Sequence, residues 1–194
     1  MIIAVQYSRI PLLIYSIGDE PLMHVSLMVA ITVDGKIARD ADHYPDWTGK
    51  ADKRLYVEIT KKAGVMIMGA TTFDTIGRVL PDRKTVVMTR NPHRRSHRND
   101  LVFTRAAPER IIADLVAQGY QEAVVVGGSK INHLFAEKGL IDELILTISP
   151  YAFGSGLSIF SDVVDLKLAL KRFWQLDENT ICIRYQVIRN IPPQ

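Results

Sequence analysis

The chain is 194 residues long and 47% hydrophobic, with a formal net charge of +3 and an isoelectric point near 9.0. That apolar content supports one sizeable core and excludes a disordered or repetitive chain, while the mild positive charge suits a polyanionic small molecule as well as nucleic acid. A single cysteine, Cys182, excludes an internal disulfide, and the closely spaced His93 and His97 have no third ligand nearby, so no metal is expected and a cytoplasmic location is the default.

In chain order, residues 1–22 hold an apolar patch at 10–14 that Pro11 interrupts and that Gly18, Asp19, Glu20 and Pro21 follow. The patch is too short to span a bilayer and lacks the basic start and cleavage pattern of a secretory signal. Residues 1–22 are therefore expected to be an extension, and residues 23–190 the domain. VSLMVAI, residues 25–31, is an apolar run of the kind a doubly covered strand shows. Asp34, Gly35 and Lys36 make a turn, and a polar stretch leads to Trp47. From Asp52 to Ala63 the apolar positions 55, 56, 59 and 63 repeat at helical spacing, with Thr48 or Gly49 just before the helix.

Gly64 ends that helix, and VMIM, residues 65–68, forms the next strand. Gly69 closes it, with Thr71 and Thr72 as caps of a short helix ending near Gly77. TVVMT, residues 85–89, is a strand, and RNPHRRSHRND, residues 90–100, a basic connection. Residues 101–104 make a short strand, and Pro108 opens a helix to Gln118 with Ile111, Ile112, Leu115 and Val116 as its buried stripe.

AVVVGGSKI, residues 123–131, reads as strand, tight turn and helix start within one stretch. Four apolar residues end at Gly127 and Gly128, where another molecule's phosphates approach closely because no Cβ intervenes. Ser129 caps a helix over 130–138 whose free N–H groups favour an anion; for an isolated glycine pair, a packing turn is the competing explanation. A strand over 144–148, a long turn through Pro150, Gly154 and Gly156, and a hairpin of 166–174 with 181–188 complete the chain. The pattern predicts a single α/β domain: a mainly parallel central sheet flanked by helices, with an antiparallel C-terminal hairpin. Ligands bind such sheets at the carboxyl ends of the strands, where Gly69, Thr89 and Gly127 fall.

The residues quoted so far resemble those of the dihydrofolate reductases, and also the reductase domain of riboflavin biosynthesis. VSLMVAITVDGKIA resembles the first strand and active-site loop of that superfamily, and Pro45-Asp46-Trp47 the end of the loop. VMIMGATTFDTIGRVLPDRKTVVMTR resembles its strand, short helix and LP-x-R-K segment, and VVVGGSKI its glycine pair under the cofactor. The likeness covers residues 25–188. GLIDELILTISPYAFGSG, residues 139–156, looks more like the riboflavin branch, whereas residues 73–83 follow the folate pattern.

The resemblance implies hydride transfer from NADPH to a C=N bond of a pterin, 7,8-dihydrofolate being preferred and a riboflavin-pathway aminopyrimidine the alternative. It places Asp52 as the carboxylate that grips the ring, with Trp47 and Thr147 as its catalytic partners. Met28, Ala30, Tyr56 and Arg83 fall on the substrate, Arg83 on the α-carboxylate of a folate tail. Ala30, Ile37, Gly69, Thr71, Thr72, Thr89, Arg90, Gly127, Gly128, Ser129, Lys130 and Ile131 fall on the cofactor, with Arg90 and Lys130 toward a 2′-phosphate. The family often has a basic residue directly after the first glycine turn, where this chain has Ala70.

Each assignment has a plainer counterpart. Asp52 also suits a first helical turn, where the helix dipole favours a carboxylate. Thr147 also suits any strand, and Tyr56 any core. A small-molecule enzyme, with a homodimer supported by the 144–148 strand and the hairpin, stands against a nucleic-acid-binding protein using residues 90–98. That loop has four arginines and two histidines but no interleaved aromatic residue, so a solvated loop near an anionic cofactor is the more economical explanation.

Overall fold

In the computed structural model, which describes residues 23–189, strands and helices alternate before an antiparallel pair closes the chain. Strand β1 (His24–Thr32) leads to the short β2 (Lys36–Ala38), helix α1 (Lys50–Ala63), β3 (Val65–Gly69), α2 (Ala70–Ile76) and β4 (Lys84–Met88). There follow β5 (Leu101–Thr104), α3 (Pro108–Ala117), β6 (Glu122–Val125), α4 (Ser129–Glu137), β7 (Glu143–Ser149) and β8 (Leu157–Ser158). The hairpin is β9 (Lys167–Gln175) and β10 (Ile181–Ile188).

Eight strands form one sheet in the order β5-β4-β3-β6-β1-β7-β10-β9, and β2 pairs with β8 in a separate ribbon. All pairings in the large sheet are parallel except those of β10 with β7 and β9. Alternate side chains of β3 show how both faces are covered. Val65 and Ile67 pack with Ile111, Ile112 and Leu115 of α3 and Phe135 of α4, whereas Met66 and Met68 pack with Tyr56 of α1 and Phe73 and Ile76 of α2. A strand covered on both sides has no polar face to offer water, hence the unbroken apolar runs in the sequence.

Two expectations are corrected. Thr71, Thr72 and Ser129 are not N-caps but lie inside their helices, because Gly69 and Gly128 hold the capping positions without any side-chain bond. The two corners meet: the Gly69 N–H donates to the Gly127 carbonyl at 2.9 Å, and a Cβ on Gly69 would stand 3.1 Å from Ile131, close enough to press on that side chain. The second correction is the ribbon of β2 and β8, which runs through segments that read as polar loop and long turn. It forms because its ends are tied: the Asp34 carboxylate accepts from the Thr32 hydroxyl and the backbone N–H groups of Phe153 and Gly154. The segment 1–22 expected to be an extension lies outside the described residues.

Candidate active site

Four neighbouring strands, β3, β6, β1 and β7, deliver Gly69, Gly127, Ala30 and Thr147 to one edge of the sheet. Parallel strands end on the same side, so these residues lie together along the carboxyl edge, the side on which such sheets bind ligands. The Gly127–Gly128 peptide is cis, Gly127 has φ +109°, and a Cβ on Gly128 would come 3.5 Å from the Thr72 hydroxyl. The corner thus presents backbone, with the first turn of α4 opening beside it. Ile131 lies against Gly69, and Ile37 is half-buried in β2. Thr89 directly follows β4, donating its N–H to the Thr104 carbonyl and accepting from the Asn91 N–H. Thr71, Arg90 and Lys130 are exposed.

Asp52 stands in the first turn of α1, 7% exposed, and accepts a 2.6 Å hydrogen bond from the Thr147 hydroxyl of β7. Thr147 pairs with Ala30 on one side and Cys182 on the other, so the acid sits over a row that crosses three strands. Burial raises the Asp52 pKa above the ordinary carboxylate value, and the hydroxyls of Thr147 and Thr48 and the charge of Lys53 oppose that rise. The acid is therefore desolvated yet aligned. Burial also pushes the Cys182 thiol up to about 11, which removes it as a thiolate nucleophile. Met28 is 3% exposed in the cluster beneath α1.

Tyr56 and Thr60 follow Asp52 at successive turns of α1 and so share its face. The Tyr56 hydroxyl reaches the Met66 sulfur at 3.5 Å, and burial pushes its pKa up to about 12, so it is a neutral wall. Arg83 is only 6% exposed. Its Nε donates to the Pro81 carbonyl at 2.9 Å and its Nη1 to the Thr60 hydroxyl, leaving Nη2 without a partner among the described residues. Thr60 in turn donates to the Tyr56 carbonyl at 2.6 Å. From Asp52 to Thr60 is eight residues of helix, about 12 Å along the axis.

Trp47 is 6% exposed, and its indole N–H is buried without a protein partner. Its ring meets Phe153 edge-on at 5.3 Å and Tyr151 at 6.3 Å. Phe153 also carries the Arg39 guanidinium at 4.1 Å and the His43 ring at 5.5 Å. The segment before α1 is thereby docked on the segment after β7. Sequence reasoning missed Thr48, Thr60, Asp34 and Phe153. Thr60 was visible as the third polar residue at four-residue spacing from Asp52; Phe153 had no local signal, since its partners are over 100 positions away.

In the basic loop, Arg94 pairs bidentately with Asp74 and Arg98 with Asp100, so two of its four arginines are neutralised within the fold. No group of three or more metal-ligating side chains is found among the described residues, and none of their helices is long and apolar enough to cross a membrane.

The dihydrofolate reductase family pattern matches residues 24–164, well over half of the chain, and the protein belongs to that family. It is 30% identical over 109 residues to dihydrofolate reductase type 3 of Salmonella typhimurium, covering 56% of this chain and 62% of that protein. It is 29% identical over 156 residues to the riboflavin biosynthesis protein RibD of Corynebacterium ammoniagenes, covering 71% of this chain and 46% of that protein. The matches thus span less than two thirds of either relative. Among solved structures, the dihydrofolate reductase of Enterococcus faecalis complexed with NADP(H) superposes with a TM-score of 0.66 at 23% identity, over 84% of this chain and 96% of that one.

Proposed function

We propose that the protein is an NADPH-dependent reductase that adds a hydride to the C=N carbon of a dihydropterin, converting 7,8-dihydrofolate to tetrahydrofolate. The observation that carries this reading is the buried Asp52 carboxylate, held by Thr147 at the strand ends that also carry the glycine corners. The bound cofactor supplies the hydride, and a proton joins the adjacent ring nitrogen. The desolvated carboxylate accepts from the guanidine-like edge of the pterin and favours the protonated ring, which is the better hydride acceptor. Thr147 and Thr48 fix its orientation. Tyr56 and Met28 wall the ring, and Trp47 closes the cleft with its unpartnered N–H available to a polar atom there.

Arg83 lies about 12 Å along α1 from Asp52, a span that fits a ring at one end and a tail carboxylate at the other, with Nη2 as the free donor. The glycine corner suits a dinucleotide because Gly127, at φ +109°, and Gly128 offer bare backbone beside the first turn of α4. Gly127, Gly128, Ser129 and Lys130 meet the pyrophosphate with Thr72 opposite. Ala30, Ile37, Gly69, Thr71, Thr89 and Ile131 line the rest, and Arg90 with Lys130 faces the 2′-phosphate.

A second reading rests on the RibD relative, whose match covers more of the chain than the folate relative's does. On it, the same acid binds a 5-amino-6-(5-phosphoribosylamino)uracil-type substrate. Following NADPH absorbance with dihydrofolate and, separately, with that pyrimidine decides between them. Consumption with dihydrofolate alone supports the proposal; consumption with the pyrimidine alone replaces it; consumption with neither removes the reductase reading. The setting we infer is cytoplasmic. A homodimer is proposed because Leu146, Ile183 and Phe173 stand in register across β7, β10 and β9, with Phe173 68% exposed. Light scattering of Phe173→Glu tests it, a monomer being expected against a dimeric parent.

A further inference from the structure

The opposite flank of α1 carries chemistry that the reduction leaves unused. There Arg54, Leu55 and Glu58 of α1 face Arg172, Trp174 and Arg184 of the C-terminal hairpin across a groove of about 450 Å³, a size typical of small-molecule sites. The indole forms an apolar floor. The Arg172 guanidinium sits 4.8 Å from its ring centroid and that of Arg184 5.8 Å. The two arginines are directly opposite in the β9–β10 register, an arrangement of like charges that costs stability unless something offsets it.

The Trp174 ring offsets part of it. Arg184 has Glu143 at 3.8 Å, beyond hydrogen-bond distance, and its Nε is buried with no partner. Arg172 makes no ion pair among the described residues. Arg54 adds a third guanidinium whose charge also reaches Asp177, and Glu58 is the single acid on the groove wall. Three planar, permanently charged forks around a flat apolar floor are the donor set for a phosphate attached to a ring.

We propose that this groove binds a phosphate monoester with a flat organic body. The phosphate lies between the guanidinium groups of Arg172 and Arg184, while the ring rests against Trp174 and Leu55. The site is separate from the Asp52 cleft and does not rest on the reading given for that cleft.

The test uses the full chain in a Trp47→Phe background, so that Trp174 is the sole indole and reports on the groove it floors. Phenyl phosphate is titrated against Trp174 fluorescence, with phenol and inorganic phosphate in parallel. Saturable quenching by phenyl phosphate is expected, about tenfold weaker with inorganic phosphate and absent with phenol. Arg172→Gln with Arg184→Gln should weaken binding about tenfold or more. Should that pair fail to fold, Glu58→Gln, an exposed helical position, decides: removing the opposing charge should tighten binding about threefold. No saturable change, equal affinity for inorganic phosphate, or indifference to these substitutions overturns the proposal.

Discussion

At the scale of single residues, the account turns on a carboxylate taken out of water. Because burial raises the Asp52 pKa above 3.8, the folded chain holds this proton to a higher pH than the unfolded chain does. The ionised acid therefore costs stability above the folded pKa, and the cost is recovered as pH falls through that value toward the unfolded one. Asp52→Asn, which imitates the protonated acid, should melt higher than the parent at neutral pH and no higher in strong acid. A melting difference independent of pH would show that the acid is not desolvated. Arg83 makes a different prediction. Arg83→Gln should raise KM about tenfold for a substrate with a glutamate tail while leaving a tail-free pterin unaffected, since one charge-assisted bond is lost. Equal effects on both substrates would assign Arg83 to holding α1 rather than to binding.

At the scale of elements, the corners rather than the helices do the positioning. Gly69→Ala places a methyl 3.1 Å from Ile131 at the mouth of the glycine pair. NADPH affinity should fall about tenfold with little change in melting temperature; unchanged affinity would put the cofactor elsewhere. In the ribbon, Gly156 has φ +141° and its Cβ would lie 2.3 Å from the Ala38 carbonyl oxygen. Gly156→Ala should cost about 1–3 kcal/mol, read by denaturant unfolding, with an unaltered value showing that the ribbon is not fixed. Much of this was legible in advance. Continuous runs such as 65–68 and 123–126 announce strands buried on both faces, and glycines at their ends announce a cleft. The ribbon was not legible, because β2 and β8 are three and two residues long and are held by Asp34 bonds to Phe153 and Gly154. Nor were the caps, since threonine and serine are ordinary capping residues, whereas α2 and α4 start at Ala70 and Ser129 directly after their glycines.

At the scale of the whole molecule, the sheet order places two glycine turns from distant parts of the chain beside the strand pair that holds the acid. Thr147 and Asp52 are 95 positions apart and touch only because β1 and β7 are neighbours under α1. The sequence offered the two ends of that contact through family resemblance, but its distance and burial are properties of the assembled sheet. The most direct test is single-turnover hydride transfer from NADPH to dihydrofolate, with and without Asp52→Asn, across neutral and acid pH. NADPH binding should stay intact, with a rate lower by about 100-fold near neutrality and a smaller deficit in acid, where the pterin is already protonated. An Asn variant that turns over as fast as its parent at neutral pH would contradict the proposed role of Asp52.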